Sequence, residues 1–342
     1  MVTLSDVSRI LVIRYGRLGD LVLLIPALRA LRQRFPSAHI SALVDQRYAA
    51  VPEMCSAVDR VIASDRIGMR DSPWWSGALS ALRSAHELRK AGYDLVIDFH
   101  GFRETNLLAW YSRAPWRIGL ERNEPSYLPF CFNLDPVPED QNLHVADRFD
   151  SLVEALGVSP GARDIQLEVP SENRTRAERF LREKGMNGFP CLIGMNLGAS
   201  ATDKMWPATR FAALADKLAD RFDLGVILLC GPGEEALLRQ AESSLRTDRY
   251  ALAGQLGLKD LAAVIGRCHL LVSNDSGPMH FGPALGVPTL GLFSLSDPLH
   301  YRPLGDRSRV IRKVPVGDIE VQEVVEQVVE MLAPGFRLQR KE

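Results

Sequence analysis

The sequence predicts an α/β protein of two Rossmann-like domains facing a central cleft. Three observations predict it. Short apolar runs alternate with helical stretches along most of the chain, the pattern of parallel sheets covered on both faces. The alternation lapses once, in an irregular stretch between Cys131 and Pro170, and then resumes. The 342 residues are enough for two cores of ordinary size, so the expected domains are 1–165 and 166–342.

Each element follows from its residues. Ile10–Ile13 reads as a buried strand and Asp20–Phe35 as the helix after it, kinked or started late by Pro26. H-I-S-A-L-V-D (39–45) and V-D-R-V-I-A-S (58–64) are strands. Residues 74–90 have helical spacing and end at Gly92. Y-D-L-V-I-D-F-H (93–100) and R-I-G-L (117–120) are further strands, and a helix lies near Leu143–Leu156. P-S-E-N-R-T-R-A-E-R-F-L-R-E-K-G (170–185) is a charged surface helix. The second series has strands at Cys191–Asn196, Gly225–Cys230, His269–Ser273 and Thr289–Phe293. Its helices are Pro207–Arg221, Glu234–Leu245, Leu258–Arg267 and Gly277–Leu285, with an amphipathic helix over 319–332. Ligands of such sheets bind outside the carboxyl ends of the strands.

Composition narrows the classes. The chain is 46% hydrophobic and 24% charged with a net charge of −1, which gives no global case for nucleic-acid binding. Its five cysteines are widely spaced without a C-x-x-C pair, so reduced structural thiols are expected rather than a disulfide or zinc framework. The N-terminus lacks a basic region followed by an apolar core, and the longest apolar run, Leu21–Leu28, falls far short of the ~20 residues that span a bilayer. A cytoplasmic protein is expected, with room for contact at a membrane surface.

Four polar turns carry the candidate chemistry, and the strand pattern puts them at one end of one sheet. Gly16–Asp20 is G-x-x-G-D, which lacks the three glycines of a dinucleotide fingerprint although Asp45 lies near the ribose-binding distance. Asp20 is by itself an expected helix N-cap. N-D-S-G-P-M-H (274–280) joins a strand to a helix opened by Pro278, so N–H groups are left for an anion, and Asp275 and Ser276 add an acceptor and a hydroxyl. The plainer alternative makes Asp275 or Ser276 a cap, and His280 a packed helix residue. L-G-A-S-A-T-D-K-M-W-P (197–207) can wrap phosphate oxygens with Lys204 as a point charge, or serve as a surface loop stapled by Trp206–Pro207. G-P-G-E-E (231–235) offers an acid for ribose hydroxyls, or acids favoured by a helix dipole. No D-x-D occurs, and no histidine–carboxylate cluster has metal spacing, so neither metal nor cofactor is expected. Arg29, Arg32 and Arg34, with Arg14 and Arg17, give the first domain a basic leading edge. That edge is a solvated helix face or a seat for an anionic acceptor bound through Arg17.

Three of these stretches resemble a known family. G-D-L-V-L-L-I-P-A-L-R-A-L, D-K-M-W-P and S-N-D-S-G-P-M-H-F-G-P-A-L-G-V-P-T-L-G-L-F are similar to the lipopolysaccharide heptosyltransferases of glycosyltransferase family 9. The D-S-G-P-M-H block is the most specific of them. F-S-L-S-D-P departs from the family, which more often has glycine after the phenylalanine and threonine before D-P. The resemblance implies a GT-B architecture, with an acceptor-binding first domain and a second domain holding an ADP-activated sugar. It implies Asp20 as general base and Lys204 on the donor phosphates with Ser200 and Thr202 beside it. Glu235 or Glu234 would contact the ribose, and Asp275, Ser276 and Gly277 would border the diphosphate and sugar. The implied reaction is metal-independent, inverting transfer of a heptose to a lipid-linked inner-core acceptor at the cytoplasmic face of the inner membrane. The rivals are a sugar-nucleotide epimerase on the same fold, a nicotinamide oxidoreductase disfavoured by the failed fingerprint, and a non-catalytic homologue.

Overall fold

A computed structural model describes residues 4, 7–65, 85–122, 127–160 and 163–333. The chain divides into two compact units, Met1–Asp164 and Ile165–Glu342. Each carries a six-stranded sheet whose neighbouring strands all run parallel. In the first unit the strands are β1 (Arg9–Arg14), β2 (His39–Asp45), β3 (Arg60–Ser64), β4 (Leu95–Asp98), β5 (Trp116–Glu121) and β6 (Val137–Pro138). Their order across the sheet is β3-β2-β1-β4-β5-β6. The second unit has β7 (Leu192–Asn196), β8 (Gly225–Leu229), β9 (Tyr250–Ala253), β10 (Leu270–Asn274), β11 (Thr289–Phe293) and β12 (Ser308–Arg312), ordered β12-β11-β10-β7-β8-β9. Both orders are the same doubly wound permutation. The winding reverses between β1 and β4 in one unit and between β7 and β10 in the other, the switch points at whose carboxyl ends ligands of such sheets bind.

The central strands were easy to read because helices cover both of their faces. Every residue of β7, β8, β10 and β11 is buried, so each reads as an unbroken apolar run closed by a polar residue or a turn. The sequence anticipates neither β6, β9 nor β12. All three are edge strands, where one flank meets solvent and polar residues are tolerated. S-R-V-I-R of β12 buries only Ile311, and Y-A-L-A of β9 alternates half-buried and buried positions.

Two expected helices are broken, both at prolines. The stretch Asp20–Phe35 is instead Leu18–Leu23 followed by Ile25–Arg34, with Leu24 as the joint. Pro26 falls in the first turn of the second helix, where its missing N–H leaves no bond unmade. The expected helix Gly277–Leu285 is a 3₁₀ turn, Gly277–His280, running into one α turn, Phe281–Ala284. Pro278 and Pro283 remove two donors within that short stretch. Of the helix expected at 74–90, residues 85–90 are helical and 74–84 lie outside the described residues.

The core of the second unit packs one face of its sheet against helices Ala208–Arg221 and Val321–Leu332, through Phe211, Leu214, Leu218, Val324 and Val328 among others. All five cysteines are buried free thiols. Burial pushes Cys191 and Cys268 up to about 12, so these thiols are packing groups rather than nucleophiles.

Candidate functional site

The four polar turns belong to two sheets, which corrects their expected placement on one. Gly16–Asp20 follows β1 in the first unit, while the other three follow β7, β8 and β10 in the second. The expectation failed because strand alternation alone does not say to which sheet a strand belongs.

In the first unit Asp20 is the third residue of helix Leu18–Leu23, with Arg17 in the N-cap position. It is therefore not the N-cap itself. Its carboxylate reaches back instead: Oδ2 accepts the Arg17 N–H at 3.0 Å and pairs with the Arg14 guanidinium at 3.1 Å. An acid in a helix's first turn is also favoured by the dipole. Both contacts fall on Oδ2, which leaves Oδ1 as the oxygen able to accept a proton.

Arg14 is the residue whose role the sequence conceals. It closes β1 and is only 6% exposed, so it is no part of a solvated edge. Its guanidinium donates to the Phe99 carbonyl at 2.7 Å and lies 5.0 Å from the centre of the Phe149 ring. It thus links the carboxyl ends of β1 and β4. The basic leading edge disperses for the same reason. Arg32 donates to the carbonyls of Ala38 and Ala57 and pairs with Asp59, which puts it at the amino ends of β2 and β3, away from Asp20. Arg29 pairs with Asp164. Arg17 stays exposed beside Asp20.

Gly16 is required by space rather than by its backbone angles. A Cβ there would stand 2.8 Å from both Arg14 Nε and Asp20 Cβ. Gly16→Ala should therefore wedge the ion pair apart, at the roughly 1–3 kcal/mol of an overpacked site. Thermal denaturation should report a drop of several degrees; an unchanged midpoint would mean that the pair yields at no cost.

Beside this loop, Asp98 ends β4 fully buried and builds the next turn. Its carboxylate accepts from His100 N–H (2.9 Å), Gly101 N–H (3.1 Å) and the Asn106 amide (2.8 Å). Burial raises its pKa, and those hydrogen bonds oppose the rise. Gly101 has φ +73°, which a side chain seldom adopts, and a Cβ would meet the Leu120 carbonyl at 2.7 Å.

In the second unit three turns converge at the switch point. Lys204 Nζ lies 2.7 Å from Asp275 Oδ2 and so links the turn after β7 to the turn after β10. Asp275 is buried and Lys204 half-buried. Neither Asp275 nor Ser276 caps a helix, contrary to the plainer expectation. No side chain caps the 3₁₀ turn, Asp275 holds Lys204, and Ser276 Oγ accepts from Asn196 at 2.9 Å. With one short turn in place of a long helix, the positive potential here comes from Lys204 more than from a helix dipole. Ser200 and Thr202 are exposed on the same loop as Lys204. That loop is anchored rather than loose. Trp206 is 1% exposed, its backbone N–H donates to Asn274 Oδ1 at 3.0 Å, and its indole N–H donates to the Ile319 carbonyl at 2.9 Å.

The two glutamates part company. Glu234 Oε2 accepts the Gly231 N–H at 2.7 Å, and its carboxylate occupies the space in which a Cβ of Gly198 would stand. It therefore lies against the turn after β7. Glu235 turns away to Gln255 (3.1 Å) and Gly233 N–H (3.2 Å). Hydrogen bonds from its own N–H, Gln255 and Gly233 hold its carboxyl below the usual range. Asn196, which no motif singled out, and Asn274, which opens the N-D-S-G-P-M-H motif but was given no role there, close the two central strands and organise all of this. A buried asparagine ending an otherwise apolar strand is the signal that could have found them.

This arrangement offers a held cation, hydroxyls and a carboxylate at one switch point, and a buried arginine orienting a carboxylate at the other. The profile of glycosyltransferase family 9 (heptosyltransferase) matches residues 81–327. The chain belongs to glycosyltransferase family 9. Lipopolysaccharide heptosyltransferase 1 of Pseudomonas aeruginosa is 27% identical over 295 residues, covering 85% of this chain and 79% of that protein. The crystal structure of a glycosyl transferase family 9 member from Veillonella parvula matches at TM-score 0.86 and 27% identity, covering 96% of this chain and 98% of that one. The E. coli heptosyltransferase WaaC solved with ADP-2-deoxy-2-fluoro heptose matches in fold at TM-score 0.76 and 21% identity, over 94% and 99% of the two chains. The glycosyltransferase family 9 chain thus has the α/β units of GT-B heptosyltransferases, and the epimerase alternative is not favoured. Among the described residues no helix is long and apolar enough to cross a membrane.

Proposed function

We propose that this glycosyltransferase moves a heptose from ADP-heptose to a hydroxyl of the lipopolysaccharide inner core or a related lipid-linked acceptor, with inversion and without a metal ion. The observation that carries the donor half is the Lys204–Asp275 pair seated at the switch point of the second sheet, among Ser276, Gly277 and the exposed hydroxyls of Ser200 and Thr202. A diphosphate needs a cation and donors at such a place, and the WaaC relative was solved with an ADP-sugar. Glu234, turned toward the phosphate-binding turn, is the better-placed ribose partner than Glu235.

The first unit supplies the base. A sugar hydroxyl is a poor nucleophile, so Asp20 Oδ1 takes its proton as the oxygen attacks the anomeric carbon. The bond from that carbon to the diphosphate breaks, and ADP leaves with the electron pair. Attack opposite the leaving group inverts the centre. Lys204 and backbone N–H groups offset the charge that grows on the diphosphate. The first unit binds the anionic acceptor, with Arg17 among its contacts. Work on a lipid-linked acceptor puts the protein peripherally at the cytoplasmic face of the inner membrane.

A thermal-shift panel of nucleotides tests the donor. ADP and ADP-sugars should raise the melting temperature by mass action, with smaller shifts from UDP and GDP compounds. A shift from UDP or GDP compounds alone would refute the ADP-sugar assignment and leave the fold untouched.

A further inference from the structure

We propose that Asn196 is a positioning residue for the diphosphate site: its carboxamide fixes the Ser276 hydroxyl as a hydrogen-bond donor toward bound phosphate. The inference rests on the donor reading above and deepens it, because Asn196 acts through a neighbour.

Asn196 closes β7 and is 2% exposed. Its Nδ2 lies 3.1 Å from the Gly198 carbonyl, 3.1 Å from Ser273 Oγ and 2.9 Å from Ser276 Oγ. A carbonyl can only accept, so the Gly198 contact settles which end of the amide is nitrogen. The amide has two hydrogens for these three acceptors, so one goes to the Gly198 carbonyl and the other is shared between the two serine oxygens, with Ser276 the nearer. Ser273 spends its own hydrogen on the Asn274 carbonyl at 2.8 Å. Ser276 has its oxygen engaged on its buried side, and the alternative acceptor for its hydrogen there, Ser273 Oγ, stands at a long 3.4 Å, so a phosphate oxygen on the open side draws that hydrogen outward. Ser273 and Asn196 are buried, whereas Ser276 is half-buried, so the chain of bonds runs from interior to surface and ends on a donor. Phosphate oxygens accept and never donate, so a hydroxyl polarised this way suits them.

Asn274, on the adjacent strand, fixes the rest of the frame. Its Nδ2 donates to the Leu197 carbonyl at 2.7 Å and its Oδ1 accepts the Trp206 N–H at 3.0 Å. It thereby clamps both ends of the loop that carries Lys204. Two asparagines, one from each strand flanking the switch point, thus set the position of Lys204 and the polarity of Ser276.

The test is a double-mutant cycle on ADP affinity, measured by calorimetry on wild type, Asn196→Ala, Ser276→Ala and the double variant. Each single change should weaken ADP about tenfold, the loss of one hydrogen bond to a charged group. The double variant should also lose about tenfold rather than a hundredfold, because both changes remove the same bond. Fully additive losses would mean that Asn196 does not work through Ser276, and the proposal falls. Asn196→Asp keeps the shape and covers the case in which Asn196→Ala does not fold. A carboxylate accepts where the amide donated, so it draws the Ser276 hydrogen inward. ADP binding should then be about tenfold weaker than wild type at neutral pH and recover toward wild type in acid, as the carboxyl regains a hydrogen to donate. Wild-type affinity in Asn196→Asp at every pH overturns the proposal just as firmly. If the wild-type protein itself fails to bind ADP, the donor reading fails first and this inference with it.

Discussion

Asp20→Asn should lower the turnover number by about 10²- to 10⁴-fold, the range that a positioned general base contributes, while ADP affinity stays within about threefold of wild type. Asparagine keeps an oxygen for the Arg17 N–H but has no charge for Arg14, whose side chain is 7% exposed. Stripping the partner from a buried cation is costly, so the variant should also melt at a lower temperature. Arg14 keeps its bond to the Phe99 carbonyl, which limits that loss. Single-turnover kinetics with saturating donor separate the chemical effect from the stability effect. Should ADP binding collapse together with turnover, Asp20 holds the donor and is not the base.

Lys204→Met is expected to weaken ADP by on the order of a hundredfold, since charge-assisted bonds to phosphate are worth roughly 1.5–3 kcal/mol each. The substitution removes the cation and also leaves Asp275, buried and 2.7 Å from where Nζ stood, as an unpaired negative charge beside the diphosphate. The second effect can be isolated. Adding Asp275→Asn to Lys204→Met should recover part of the affinity by removing the repulsion. A double variant that binds worse than Lys204→Met would show that Asp275 does more than balance Lys204.

Much of the molecule was legible because its central strands are covered on both faces and so spell continuous apolar runs. The edges were not: S-R-V-I-R of β12 buries one residue and looks like surface. The turns of the candidate site were legible as turns, since clusters of glycine, hydroxyl and acid residues punctuate the ends of strands. What each residue touches was hidden. Asp20 looked like a cap and is instead the third helical residue reaching backward. Arg14 looked like part of a charged rim and is buried between the ends of β1 and β4, a fact that depends on Phe99 and Phe149 arriving from far along the chain. The roles of Asn196 and Asn274 were hidden because each bonds to a partner far along the chain, 77 and 68 residues away. Local chemistry can be read from neighbours in sequence; relays across a switch point cannot.

The Trp206 indole, bonded to Ile319, sets an order of events during synthesis. The loop that bears Lys204 leaves the ribosome with its anchor still unmade, because Ile319 follows 113 residues later. The first unit, finished long before, can fold as its residues emerge. The turn that bears Lys204 reaches its final form only after the strand and helix framework around it has been translated, so a truncated nascent chain holds Asp20 in a complete first unit but Lys204 on an unfinished turn.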